Sequence, residues 1–332
     1  MEKKKYNLYD SFNVFLLCLI IPQVVALFVV LIGVLTMGKD AFSTSFLYVF
    51  ASLTLSQLVF LAIYFIHKAK TKTSFKALNV NKISRKQVLI VVLIGLICVV
   101  MLTPLANVFE GLLTKWGYGS ASIPLSLDNF WNFIFLFVTL GILAPASEEI
   151  IFRGVIFNGL KDKGAKFSVL ISALLFMVMH LSINQCFYQF VMGVVLALLV
   201  LYTNSIVSSF VVHFINNAGV LLINYIIPSL NEVNYLSTVY IIAAIILFAL
   251  AIVALYFCFK WLKKAGNKEV DIRQEGNTNT EIDNSENVVE SEENANNLSN
   301  KTWKKPEKVY LTFTLILAVA IWIGSVLLTF LN

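Results

Sequence analysis

Two adjacent glutamates and an arginine interrupt a long apolar stretch of the sequence. Glu148, Glu149 and Arg153 lie in the segment Ala-Pro-Ala-Ser-Glu-Glu-Ile-Ile-Phe-Arg-Gly, which begins at Ala144, and apolar residues continue on both sides. An ionisable side chain at the centre of a bilayer costs about 2.5–3.5 kcal/mol on insertion scales, so such residues are rare and usually functional. The chemistry open to a carboxylate in this setting is proton transfer, as a general base or a general acid.

The spacing of these residues predicts two different roles. Glu149 and Arg153 are four residues apart and can pair along one helix face, whereas Glu148 is rotated by about 100° and can point elsewhere. We favour an ion pair that orients Glu148 over a direct contact of Glu149 and Arg153 with a substrate. Pro145 is expected to kink or restart the helix just upstream, because proline has no backbone N–H.

Two of the three histidines are candidates for the same site. His180 and His213 each follow a long apolar run, and Asn217 follows His213 by four residues, so imidazole and amide share a helix face. Both groups could donate hydrogen bonds to one oxygen. His67 ends an apolar run beside Lys68, and we interpret it as an interfacial residue without chemistry. The polar groups are expected to meet in the central to cytoplasmic half of a bundle, around a small water-filled cavity.

The elements that must position these residues are membrane spans. Of the 332 residues, 58% are hydrophobic and 13% are charged, and the mean hydropathy is +0.82, which excludes a soluble globular protein. The sequence predicts an all-α, polytopic transmembrane bundle of about eight to nine spans, with a core of kinked and short helices. The candidate spans are residues 12–37, 46–66, 88–108, 130–160, 167–181, 187–202, 206–227, 239–259 and 309–331. The fifth and sixth have only about 15 residues against the usual 17–25, and we expect them to be tilted or joined within the membrane through residues 182–186.

The basic residues indicate topology and not nucleic-acid binding. They lie in short runs between apolar segments, most densely in the loop 67–87, which has no acidic residue. The positive-inside rule makes this loop cytoplasmic and therefore places the N-terminus in the cytoplasm. We predict a multi-pass protein of the cell membrane, with the lipid bilayer as its partner and no nucleic-acid partner.

Composition divides the chain into five regions. Residues 1–129 hold the N-terminal spans and the basic loop, residues 130–230 hold the polar core, and residues 231–266 hold one further span. Residues 267–308 are rich in Asn, Glu, Ser and Thr and too poor in apolar groups to offset their ordering entropy, which predicts a disordered acidic cytoplasmic linker. A C-terminal span follows over 309–332. The four cysteines form no CxxC pair, so the sequence offers no zinc or redox motif of that kind.

Three short motifs occur in order along the polar core. They are Glu-Glu-x-x-x-Arg from Glu148, Phe-x-x-x-His from Phe176 to His180, and His-x-x-x-Asn from His213 to Asn217. Together they resemble the motifs of the CAAX protease and bacteriocin-processing family, integral-membrane endopeptidases similar to the type II CAAX prenyl endopeptidases. The resemblance covers roughly residues 130–225, and no motif residue departs from the pattern.

The resemblance implies an intramembrane endopeptidase acting near the cytoplasmic leaflet on a membrane-associated or lipid-anchored peptide or protein. Bacteriocin maturation and self-immunity are two roles of this kind. It also implies that Glu148 and His180 activate the attacking water, and that His213 and Asn217 stabilise the oxyanion. Phe176 is expected to pack against the His180 ring.

The cofactor and the activity itself stay open at this point. The family has been described both as metal-dependent and as metal-free; zinc is possible, but Asn217 beside His213 suits an oxyanion better than a metal, which favours no tightly bound ion. One alternative function is a non-catalytic membrane scaffold or immunity protein that keeps the polar residues as a structural network. A proton-coupled transporter is a second alternative, since buried carboxylates and histidines also form proton relays.

Overall fold

A computed structural model describes residues 5–118, 125–127, 129–278 and 303–331, and within these ranges the chain is helical and has no β-strand. The α-helices are α1 (Leu8–Met37), α2 (Lys39–Ser43), α3 (Phe46–Leu53), α4 (Leu55–Thr71), α5 (Arg85–Ile97), α6 (Thr103–Lys115), α7 (Phe130–Leu136), α8 (Ala144–Glu149), α9 (Asn158–Leu160), α10 (Ala165–Met179), α11 (Ile183–Thr203), α12 (Ile206–Ile226), α13 (Thr238–Thr278) and α14 (Lys305–Leu331). Segments of π-helix cover Cys98–Leu102, Phe137–Leu143 and Ile150–Phe157.

The chain is a multi-pass membrane protein, and the predicted polytopic all-α bundle is confirmed. In the described residues, seven helical stretches are long and apolar enough to cross a membrane, and the pair α3 and α4, bent by 44°, makes up to eight. The stretches Arg85–Lys115 and Phe130–Lys163 each count as one crossing, although π-helix interrupts both. Large apolar side chains on α1, α13 and α14 face outward, as lipid contact requires.

The two spans predicted to be short behave differently. α10 has only 15 residues, as expected, and falls below the length of a full crossing. α11 has 21 residues, so the prediction of a short sixth span is wrong. The helix begins at Ile183, so its first turn includes the polar residues Asn184 and Gln185. Residues 180–182 connect it to α10.

α10 and α11 pack closely against each other. A Cβ atom added to Gly193 of α11 would lie 2.8 Å from the Cα atom of Ala173 on α10. Only glycine permits this approach, because a methyl group needs more room than the backbone of α10 leaves. The two helices therefore form a compact wall beside the Phe130–Lys163 stretch, which carries both glutamates.

The basic loop folds back onto the same stretch. Leu78 is buried against Gly154, Asn79 donates from Nδ2 to the Oδ1 atom of Asn158 at 3.0 Å, and the hydroxyl of Ser205 donates to the carbonyl of Asn81 at 2.5 Å. The loop thus packs against the Phe130–Lys163 stretch and against Ser205, the residue before α12.

Helix occupies both ends of the segment predicted as a linker. α13 continues to Thr278 and α14 begins at Lys305. The rest of that prediction concerns residues 279–302, which lie outside the described residues.

Candidate active site

The two glutamates lie at the end of α8, a helix of six residues between two π-helical segments. In the i→i+5 pattern of the preceding π-helix, the carbonyl of Leu140 would accept from the N–H of residue 145. That residue is Pro145, which has no N–H, so the sequence itself leaves this carbonyl free for another donor. π-Helical segments of this kind are frequent at functional sites.

Glu149 and Arg153 form the ion pair that their spacing predicts. The Nη1 atom of Arg153 lies 3.1 Å from Oε1 of Glu149, and both side chains are almost completely buried. The Nη2 atom donates to the carbonyl of Gly193 at 3.3 Å, and the guanidinium lies 4.5 Å from the ring centre of Phe176. The close approach of α11 that Gly193 allows therefore also supplies an acceptor for the buried cation.

His213 lies between the two carboxylates. Its Nδ1 atom is 3.0 Å from Oε1 of Glu149, and its Nε2 atom is 3.8 Å from Oε2 of Glu148. An ionised carboxylate only accepts hydrogen bonds, so Nδ1 carries a proton and Nε2 faces Glu148. The 3.8 Å gap is an ion-pair distance and too long for a direct hydrogen bond.

His180 follows the last residue of α10 and is held by its own helix. Its Nδ1 atom is 2.8 Å from the carbonyl of Phe176, which can only accept, so Nδ1 is the protonated nitrogen and Nε2 is left for other partners. The ring lies 4.8 Å from that of Phe176, as predicted. No direct hydrogen bond joins it to Glu148 in the described residues.

Phe176 connects groups that no hydrogen bond joins. Its ring is in edge contact with His180, His213 and Phe152, at centre distances of 4.8, 5.8 and 5.1 Å. Together with its contact to the Arg153 guanidinium, this makes Phe176 a common wall for both histidines and the cation. The sequence predicted only its contact with His180.

Asn217 donates to the carbonyl that Pro145, lacking an N–H, leaves without a backbone donor. Its Nδ2 atom donates to the carbonyl of Leu140 at 3.0 Å, and its Oδ1 atom accepts from Nδ2 of Asn216 at 3.2 Å. One N–H of the Asn217 amide is used in this way, and the other forms no hydrogen bond within the described part of the chain. The amide thus lies one turn beyond His213, as the spacing predicts, but with a structural partner that the sequence did not suggest.

Several polar residues beside the site were missed by the sequence reasoning. Tyr188 donates to the Oδ1 atom of Asn216, and the hydroxyl of Ser147 donates to Oε1 of Gln57 at 2.6 Å, which ties α8 to α4. The signal that could have found Gln57 and Asn216 is their polarity within apolar spans, the same signal that singled out the glutamates. His67 lies elsewhere, with Nε2 3.2 Å from Oδ1 of Asp10.

Buried carboxylates and imidazoles are side chains of the kind that bind zinc. Among the described residues, no group of three or more His, Cys, Asp or Glu side chains is arranged to hold one. As placed, these side chains therefore do not fit a metal site.

Fold and site together define a class: a multi-pass helical membrane protein with a buried cluster of two carboxylates, two imidazoles and one guanidinium. Comparison with family models then gives a match over residues 130–219 to the family described as type II CAAX prenyl endopeptidase Rce1-like. The predicted family resemblance is confirmed over these residues, which contain all six predicted site residues. Comparisons with curated proteins and with solved structures give no match.

Proposed function

We propose that this protein is an intramembrane endopeptidase that hydrolyses a peptide bond of a membrane-associated substrate. The observation that carries the proposal is the position of His213 between Glu148 and Glu149, buried in the region that matches the endopeptidase family. A scaffold needs no such cluster, because buried ion pairs are often no more stabilising than apolar residues of similar volume.

In the proposed reaction, Glu148 accepts one proton of a water molecule whose second O–H donates a hydrogen bond to the Nε2 atom of His180, and the water oxygen attacks the peptide carbonyl carbon. Negative charge then develops on the carbonyl oxygen, where Nε2–H of a protonated His213 and the free N–H of Asn217 donate. The abstracted proton passes to the leaving nitrogen as the C–N bond breaks. Glu149 and Arg153 hold His213 in place and do not contact the substrate.

The proposal extends to the location of the protein and to its class of substrate. The chain is proposed to lie in the cell membrane with its N-terminus in the cytoplasm, because the basic loop 67–87 and the later lysine runs fall on one side. The substrate is a membrane-anchored or membrane-delivered peptide cut near the cytoplasmic leaflet. Bacteriocin maturation and self-immunity are the roles to be examined first.

The proposal is tested by comparing cells that produce the wild-type protein, the Glu148→Gln variant or the Glu110→Gln variant. New peptide N-termini in the membrane fraction are measured by mass spectrometry. We expect products that depend on Glu148 to fall at least about 100-fold in Glu148→Gln, since a general base contributes 10²–10⁴-fold. Glu110 is an exposed glutamate of α6 and serves as the matched control, with wild-type products expected.

Two other results would contradict the proposal. Identical product spectra in wild type and Glu148→Gln, together with an unchanged phenotype, would favour the scaffold or immunity protein. Uptake of protons or solutes into vesicles that depends on Glu148 would favour the transporter.

Zinc retained in equimolar amount after purification, and lost together with activity in Glu148→Ala, would replace the metal-free reaction with a metal-dependent one.

A further inference from the structure

A chain of hydrogen bonds leads from α11 to the amide proposed to stabilise the oxyanion. The hydroxyl of Tyr188 donates to Oδ1 of Asn216, Nδ2 of Asn216 donates to Oδ1 of Asn217, and Nδ2 of Asn217 donates to the Leu140 carbonyl. These residues come from α11, from α12 and from the π-helix before the glutamates. Asn216 is buried and Tyr188 is half-buried.

The direction of every hydrogen bond in this chain is fixed from its carbonyl end. The Leu140 carbonyl can only accept, so the Asn217 atom beside it is Nδ2, and the atom facing Asn216 is Oδ1. Asn216 must then present Nδ2 to Asn217 and Oδ1 to Tyr188, whose hydroxyl is left to donate. A reversed amide at either asparagine would place two acceptors or two donors against each other within the bundle.

We propose that Tyr188 is a positioning residue, which locks the amide of Asn217 with its second N–H available to the oxyanion. The inference rests on the proposed function and deepens it by adding a residue that touches no reacting atom. A donor helps catalysis only if it is already aimed where charge develops, because turning it during the reaction would cost the energy that it provides. Tyr188 and the Leu140 carbonyl hold the two ends of this series of hydrogen bonds, and thereby prevent the Asn217 amide from rotating.

The test is a double-mutant cycle on the purified full-length protein in lipid nanodiscs. The variants are Tyr188→Phe, Asn217→Ala and the double variant, with Tyr202→Phe as the control because Tyr202 lies on the same helix and its ring packs on Phe259. The probe is the peptide that wild type cleaves fastest in the membrane experiment described above. Thermal unfolding midpoints of all variants are measured in parallel.

We expect Tyr188→Phe to lower kcat about tenfold, a fraction of the 10²–10³-fold loss caused by removing one oxyanion donor outright. KM should stay within about twofold, because the donor acts only in the transition state. In the Asn217→Ala background, Tyr188→Phe should cause no further loss of kcat. Tyr202→Phe should retain wild-type kcat.

Four outcomes would overturn the positioning role while leaving the proposed function intact, provided that Glu148→Gln is still inactive. They are full kcat in Tyr188→Phe, an effect on KM alone, and losses that multiply in the double variant. A fall in kcat that only follows a lower unfolding midpoint, with the same fall in Tyr202→Phe, would also overturn it. If Glu148→Gln cleaves the probe as wild type does, the proposed function fails and the positioning role fails with it.

Discussion

At the scale of single residues, the stability of the site depends on how its buried charged side chains are paired. Glu149 shares one oxygen, Oε1, between Arg153 and His213, while the ion pair that Glu148 forms among the described residues is with His213, at 3.8 Å. We therefore propose that Glu149 is the structural carboxylate and that Glu148 is the one that takes part in the chemistry. Because each buried charge depends on its partner, removing one is expected to cost far more than removing a matched pair.

We predict that Arg153→Met strongly destabilises the protein, by about 3–5 kcal/mol, because it leaves Glu149 buried without its cation. The double variant Glu149→Gln/Arg153→Met should recover much of this loss, since no charge is then left unpaired. The measurement is the unfolding midpoint in detergent. Arg85→Met is the control, because Arg85 is exposed at the start of α5 and should have little effect. Equal destabilisation by the single and double variants would contradict the interpretation of the pair.

At the scale of elements, the site depends on irregular helices and on one close contact. Pro145 and the adjoining π-helix free the Leu140 carbonyl that receives Asn217, so the distortion of one helix creates the anchor point of another. Gly193 has a similar double role, since it lets α11 approach Ala173 on α10 and presents its carbonyl to Arg153.

We predict that Gly193→Ala lowers the unfolding midpoint by an amount equivalent to about 1–3 kcal/mol, the usual cost of overpacking a core. The new methyl group would meet the α10 backbone at 2.8 Å and push α11 away from Arg153. Gly324→Ala in α14 is the matched control, because an added Cβ at Gly324 meets nothing within 4 Å. That variant should be neutral or slightly stabilising, since alanine favours helix over glycine. A neutral Gly193→Ala would show that α10 and α11 can separate without cost.

At the scale of the whole molecule, α14 and the residue Trp303 before it contact α10 and the residues that flank α10 at its two ends. Near the start of α14, Lys163 lies 2.6 Å from Glu307 and 4.9 Å from the ring centre of Trp303, which also meets Phe167 edge-on. Toward its other end, the hydroxyl of Ser325 donates to the carbonyl of the residue after His180 at 3.1 Å. α14 lies outside the matched residues 130–219, so an element beyond the family region supports the segment that carries His180.

We predict that the ring of Trp303 contributes more to this attachment than the ion pair does. Trp303→Ala should lower the unfolding midpoint by the equivalent of about 2–3 kcal/mol, whereas Glu307→Gln should cost at most about 1 kcal/mol, as expected for an ion pair near water. Both are compared with Trp116→Ala, since Trp116 is largely exposed and packs little. The reverse order of the two losses would make the charge pair the main attachment.

The sequence by itself determined the class of the molecule and the identity of its polar groups. Apolar runs interrupted by Glu148, Glu149, Arg153, His180 and His213 were enough, because the cost of charge in hydrocarbon makes each interruption informative without knowledge of its neighbours. The Glu149–Arg153 pair and the contact of Phe176 with the His180 ring were also predictable, since the residues of each pair are four apart in the sequence.

The tertiary structure alone decided which groups from different helices meet. His213 reaches Glu149 across 64 residues, Asn217 reaches Leu140 across 77, and Tyr188 reaches Asn216 across 28. Local spacing gives the face of a helix on which a side chain lies, but not the neighbour that the face is turned toward. That neighbour is set by how closely helices approach, which here depends on a glycine in α11 and on a helix distorted beside a proline.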